Sequence, residues 1–220
     1  MIEIKVSDEI RQYCPGFSGA AIYAKVRNGI SDERLWKLID HYVELYKNTH
    51  TIEDIKKNPA ISTTRNFYKK AGKDPNRYRP SAESLCRRIV RNLPLYKVNT
   101  LVDLINLVSI RTGYSIGGFD SDKISGDKLT LGIGKKDEPF EGIGRGVLNI
   151  EGLPVYRDAL SGIGTPTSDN ERTKLGMDTT RLLAVINGYS GSEGLSDAVS
   201  YMQELLCEYA DSDGGEVYYF

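Results

Sequence analysis

Histidine is scarce in this chain of 220 residues, where His41 and His50 are the only two. Neither has cysteines or a cluster of acids at ligand spacing, so zinc, Ser-His-Asp and Cys-His chemistries have few candidates. The three cysteines, Cys14, Cys86 and Cys207, are odd in number, far apart and without C-x-x-C spacing. A disulfide framework and a zinc knuckle are thereby excluded, and a reducing, cytoplasmic setting is expected. No apolar run approaches the roughly 20 residues that span a bilayer. The opening segment alternates apolar with charged residues and reads as a strand, not a signal peptide. Two motif fragments also fail. Gly142-Ile143-Gly144-Arg145-Gly146 would need a third glycine where Val147 stands, and no clear strand precedes it. Asp120-Ser121-Asp122 starts like a calcium loop, but its fifth position is Ile124 and its glycine arrives one place late. No metal and no cofactor is expected.

What is present is ordinary in amount and uneven in placement. Apolar residues make up 40% of the chain and charged residues 27%, enough for a substantial core in one large domain or two small ones. The net charge is −1, yet residues 65–91 hold nine bases against two acids, Asp74 and Glu83. That segment is therefore +7 and the remainder −8. The bases are Arg65, Lys69, Lys70, Lys73, Arg77, Arg79, Arg87, Arg88 and Arg91. Such a cluster reads either as a surface for phosphate and nucleic acid or as a solvated helix face.

Periodicity and caps suggest the elements. Residues 2–6 and 20–26 read as strands separated by the Pro15-Gly16 turn. Ser31-Asp32-Glu33 opens a helix with Leu35, Leu38, Ile39, Tyr42, Leu45 and Tyr46 on one face and Trp36 at its edge. Thr51-x-x-Asp54 forms a capping box for a short helix ending before Pro59. A helix over 62–71 stops at Gly72. Another is capped by Ser81, with Ala82, Leu85, Cys86 and Ile89 inward and its arginines outward. Thr100-x-x-Asp103 opens the next, closed by Gly113. Beyond it, glycine-punctuated segments at 129–131 and 147–150 and a buried run at 181–186 read as strands. Ser196 caps a last helix, and residues 216–220 form a final strand or a tail. The fold class is α+β, with helices grouped in the first half and an antiparallel or mixed sheet in the second. Residues 1–60 read as a strand-helix cap packed on a main module over 61–220. The polar run Thr165 to Thr173 is either a plain surface loop or a ligand-contacting one.

The stretch from Asn76 to Gly126 carries a resemblance. Arg79-Pro80-Ser81, Tyr96-Lys97-Val98-Asn99, Leu101-Val102-Asp103 with Asn106, and Phe119 to Ile124 followed by Gly126 resemble the editing domain of the phenylalanyl-tRNA synthetase β subunit, and more closely its free-standing relatives. The likeness continues more weakly through residues 151–155, the Pro166-Thr167-Ser168-Asp169 loop and the strand near Ala184. The first 60 residues have no counterpart in the synthetase domain. In the synthetase this domain hydrolyses tyrosine wrongly esterified to the phenylalanine tRNA. The resemblance therefore implies a tRNA or aminoacyl-tRNA partner, with neither DNA nor a membrane. It implies a ligand pocket built from Asn106, Ser109, Gly117, Gly118, Asp120, Thr167, Ser168 and Asp169. The nine bases named above would bind RNA.

Three departures weigh on activity. The bacterial synthetase has a histidine in the segment matching Ser115 to Asp120, where this chain places Gly117. Ile105 replaces the threonine before the matched asparagine, and the glutamate that reads the tyrosine hydroxyl falls near Ala184. Tyrosine editing by that arrangement is not expected, and no catalytic residue is assigned. Two functions follow: a module that binds aminoacyl-tRNA or its amino acid, or an active free-standing aminoacyl-tRNA deacylase.

Overall fold

The computed structural model describes residues 2–220. The chain begins with β1 (Glu3–Val6), a short helix α1 (Asp8–Tyr13) and β2 (Ser18–Lys25). Five helices follow: α2 (Glu33–Thr49), α3 (Ile52–Lys57), α4 (Pro59–Lys70), α5 (Ser81–Val90) and α6 (Thr100–Thr112). Then come β3 (Ile116–Asp120), β4 (Lys128–Ile133), β5 (Glu141–Gly142), β6 (Gly146–Val147), β7 (Pro154–Arg157), β8 (Gly162–Gly164) and β9 (Arg181–Gly188). Helix α7 (Leu195–Tyr209) and β10 (Glu216–Tyr219) complete the chain. The class is α+β, as expected, with most helices ahead of residue 113 and most strands after it.

Period-two alternation along β2 and β9 organises three layers. Their strands belong to an antiparallel sheet ordered β10-β2-β9-β3. Ala20, Ile22, Leu182, Ala184 and Ile186 pack in one core with Leu35 and Trp36 of α2, Leu104 and Val108 of α6, and Met202 of α7. The intervening residues, Ala21, Leu183 and Val185, face a second core with Leu129, Leu131, Val155 and Tyr156. Those last four lie on the sheet β1-β4-β7-β8, in which β1 and β4 run parallel and the other pairs antiparallel. One strand thus fills two cores because successive side chains leave a strand on opposite faces.

The segment read as a cap is woven into both sheets. β2 pairs along its length with β9, from Ser18 opposite Gly188 to Lys25 opposite Arg181, and β1 pairs with β4. The C-terminal segment is a strand, with Glu216 opposite Tyr23. Several helix starts differ from the sequence reading by a few residues. Asp32, not Ser31, caps α2 by accepting from the Arg34 and Leu35 amides. Helix α4 starts at Pro59, which supplies no amide where none is needed, and Asn58 caps it. Asn99 caps α6 by accepting from the Val102 amide. The Asp103 carboxylate accepts instead from the Val98 amide, the Ser31 hydroxyl and the Trp36 indole N–H, at 3.1, 2.6 and 3.1 Å. Trp36 is therefore buried at a clamp between α2 and α6, not at a helix edge. The capping box of α3, Thr51 with Asp54, is formed.

Candidate functional site

Helix α6 presents Val102, Ile105, Asn106 and Ser109 on one face, at the three- and four-residue spacing that stacks side chains. Across from that face stand β3, the turn at 165–169 and residues 174–175. Between them lies a cavity of about 370 Å³. Val98, Val102, Ile105, Ile116, Ile143 and Leu175 give it an apolar wall, and Asn106, Ser109, Asp169 and Lys174 add polar groups. An apolar concavity of this size with a few placed polar groups is the usual form of a small-molecule site.

Gly118 is what leaves the room. A Cβ there would stand 2.4 Å from the Ile105 Cδ1 and 3.0 Å from the Leu175 Cδ1, so any side chain would reduce the space between β3 and α6. Ala184 lies opposite Gly118 in the β3–β9 register. Ile105 and Ala184, two of the three positions at which the sequence resemblance implied a lost polar group, thus fall on this one side of the sheet. The third does not, because Gly117 alternates to the other face and abuts Phe119.

The turn from Thr165 to Asp169 is tied to itself and to α4. The Thr165 hydroxyl accepts from the Thr167 and Ser168 amides at 3.1 and 3.0 Å and donates to the Ser168 carbonyl. The Thr167 hydroxyl bonds the buried Tyr68 hydroxyl at 2.9 Å and donates to the Tyr78 carbonyl. The Ser168 hydroxyl donates to the Asp169 carbonyl. These hydroxyls shape the turn and leave one ionisable group facing a different fate. One oxygen of the Asp169 carboxylate accepts from the Gly118 amide at 3.1 Å, and among the described residues the other has no partner. Its seat is cleared by two glycines, since a Cβ at Gly164 or Gly117 would stand 2.9 or 3.5 Å from that oxygen. Burial pushes the carboxyl up to about 7, and the single amide bond only partly offsets it. Ser109 and Asn106 likewise offer side-chain groups with no hydrogen-bond partner among the described residues.

Of the eight expected pocket residues, the cavity collects Asn106, Ser109, Gly118, Ser168 and Asp169. Asp120 is committed elsewhere: its carboxylate accepts from the Thr179 hydroxyl and the Asp122 amide and pairs with Lys123 at 3.1 Å. Gly117 and Thr167 lie outside the cavity lining.

A shallow groove of about 680 Å³ continues from the cavity mouth, sharing Ser81, Asn106 and Ile143 with it. Arg79, Arg87, Arg88 and Arg91 line it from α5 and the turn before it, and Tyr96 and Thr167 border it. Arg145 joins them from the turn between β5 and β6. Sequence reading missed that arginine. Its signal was the glycine-rich run 142–146, which serves as a hairpin tip holding Ile143 and Arg145 at the lip. The Ile143 amide donates to the Asp169 carbonyl and the Gly144 amide to Glu171 Oε1.

The nine bases divide sharply. Glu83 is fully buried, and its carboxylate accepts from Arg65 at 2.8 and 3.0 Å and from Arg87 Nε at 2.7 Å, with Arg79 Nε at 3.8 Å. Arg65 and Arg87 are thus buried, and the outward orientation expected for the α5 arginines does not hold for Arg87. Lys73 is buried too, donating to the Asn149 carbonyl and lying over the Tyr78 ring. Lys69, Lys70 and Arg77 are exposed but lie off the groove, and Lys70 donates to the Tyr13 carbonyl. Of the nine, Arg91 is the exposed base on the groove, while Arg79 and Arg88 are half-buried there, Arg88 donating to the Pro94 carbonyl and lying under the exposed Tyr96 ring at 4.2 Å. No group of three or more His, Cys, Asp or Glu at metal-holding distance occurs among the described residues, and no described helix is long and apolar enough to cross a membrane.

The family model of the B3/4 domain matches residues 63–204, more than half of the chain. No curated protein matches. Among solved structures the chain is similar to an N-terminal fragment of the phenylalanyl-tRNA synthetase β subunit from Pyrococcus horikoshii, at 16% identity and a TM-score of 0.51. The alignment covers 98% of this chain and 50% of that one, so the chain spans half the length of the fragment. At that identity the likeness establishes the fold alone.

Proposed function

The chain belongs to the B3/4 domain family, and from that premise we propose that it binds the aminoacylated end of a tRNA. The nucleic-acid end lies along the arginine groove and the amino acid enters the cavity. The observation that carries this reading is the continuity of the two, which meet at Ser81, Asn106 and Ile143. Arg88, Arg91 and Arg145 supply phosphate affinity that does not depend on sequence. Tyr96, exposed and backed by Arg88, offers a ring on which an unpaired terminal base can stack. The cavity wall of Val98, Val102, Ile105, Ile116 and Leu175 suits an apolar amino-acid side chain.

Anisotropy titration of a labelled acceptor-stem RNA at two salt concentrations tests the proposal. Binding is expected at low salt, weaker at high salt, and reduced in an Arg88→Ala/Arg91→Ala variant. Absent binding, or binding that neither salt nor the double variant changes, refutes it.

Hydrolysis of the ester is a second reading, and one observation favours it. The Asp169 carboxyl, raised to about 7, has the acidity suited to taking a proton from water near neutral pH. Deacylation of a panel of mischarged tRNAs, lost in Asp169→Asn, is the outcome that would support it. No release above buffer across the panel removes it.

A further inference from the structure

We infer that the Asp169 carboxylate receives the α-ammonium group of the bound amino acid, so that the cavity accepts aminoacyl groups with a free amine and an apolar side chain and rejects N-blocked ones. This deepens the reading above and rests on it. The argument starts from an imbalance of charge. A carboxylate in an apolar wall needs either a proton or a cation. Around this one, β3 contributes Gly117, Gly118 and Phe119, β8 contributes Gly164, and α6 contributes Ile105, Asn106 and Ser109, none of them charged. Within its own turn the neighbours are Ser168 and Asn170. The other charged residue of the cavity lining, Lys174, is paired with the Glu171 carboxylate three residues back.

The protein thus leaves one oxygen of a cavity-lining carboxylate without a partner, seated between Gly117 and Gly164, beside a cavity otherwise suited to an aliphatic or aromatic side chain. An amino acid brings the missing cation on the atom next to its ester carbonyl. The Asn106 amide and Ser109 hydroxyl, also uncommitted, then remain for that carbonyl. The raised pKa agrees with this, since a group waiting for a cation holds a proton until one arrives. An Asp169 paired with an ammonium is ionised and hydrogen-bonded, hence no longer poised as a base, so this role and the hydrolytic one exclude each other.

Calorimetric titration of the full chain with L-leucine methyl ester, N-acetyl-L-leucine methyl ester and methyl 4-methylpentanoate decides the matter. At pH 7.5 the free amine is expected to bind at least tenfold more tightly than either neutral compound, as a charge-assisted hydrogen bond in a half-buried site should give. The preference should shrink at pH 5.5, where the carboxyl is protonated. It should vanish in Asp169→Asn, which still accepts from the Gly118 amide, while the weak apolar binding persists. Equal binding of the three esters by the unaltered chain, an unchanged preference in Asp169→Asn, or no binding of any of them overturns the inference. The RNA titration stands apart: RNA bound without amine preference removes this inference alone, and amine preference without RNA removes the nucleic-acid reading alone.

Discussion

Replacing Glu83 with alanine should be among the most damaging single changes in this protein. Its carboxylate is fully buried and accepts three close bonds from Arg65 and Arg87, whose own side chains are nearly as buried. Arg65 would keep the Pro75 carbonyl and Asn76 Oδ1, at 3.1 and 2.9 Å, but two guanidinium groups would lose their only close counter-charge. Breaking a buried pair by removing one partner costs about 3–5 kcal/mol. Against a total stability on the order of 5–15 kcal/mol, that is a large share. For a domain of this size it lowers Tm by roughly 6–20 °C, at about 2–4 °C per kcal/mol. Thermal unfolding followed by circular dichroism measures it. Glu83→Gln, which keeps shape and part of the acceptor capacity without the charge, should fall between the two. Arg79→Ala removes only the more exposed partner at 3.8 Å and should shift Tm little. A loss below about 2 °C in Glu83→Ala would refute the reasoning, because the arginines would then be satisfied by water and the cluster would not be a buried one.

Other consequences can be checked separately. Because the folded Asp169 carboxyl titrates near 7 and an unfolded aspartate near 3.9, the folded state holds the extra proton between them. Its contribution is therefore fully present below about pH 4 and lost as pH rises through 7, so denaturant midpoints should fall over that window less in Asp169→Asn than in the unaltered chain. Gly118→Ala places a methyl against Ile105 and Leu175; overpacking of about 1–3 kcal/mol and at least tenfold weaker amino-ester binding are expected by melting and calorimetry. Arg145→Ala should lower the slope of log affinity against log salt for RNA by about 1, whereas Lys69→Ala, off the groove, should leave it unchanged. Asp103→Ala unpartners the buried Trp36 indole N–H, the Ser31 hydroxyl and the Val98 amide, and should cost about 2–4 kcal/mol in unfolding by denaturant.

Much of this molecule was legible in its residues. The helices of the first half declared themselves through apolar spacing and caps, because those signals lie within a few residues of one another. Ends moved where a neighbour competed: Asp103 lies at capping-box spacing from Thr100, but in space it serves the indole of Trp36, 67 residues earlier. The place of β2 was not legible, since nothing local says that its partner is β9, more than 150 residues on. The site divides in the same way. Asn106, Ser109 and Gly118 were found through resemblance and sit where the cavity is. The charge cluster misled in part, because composition cannot separate an arginine that faces water from one that neutralises Glu83. Asp169 was recognised as polar, but its lack of a counter-ion is a property of the surrounding glycines and apolar residues, visible only in three dimensions.

Ile143 touches both the small chamber and the long basic channel, and it hangs from Asp169 through a main-chain hydrogen bond. Guests bound in the two compartments as proposed would therefore meet at this one residue. Thermodynamic reciprocity then requires that whatever factor an RNA strand adds to amino-acid affinity, the amino acid must return to the RNA. If the proposed RNA and amino-acid sites are coupled through Ile143, the chain would bind an aminoacylated RNA end and a bare one with different affinity.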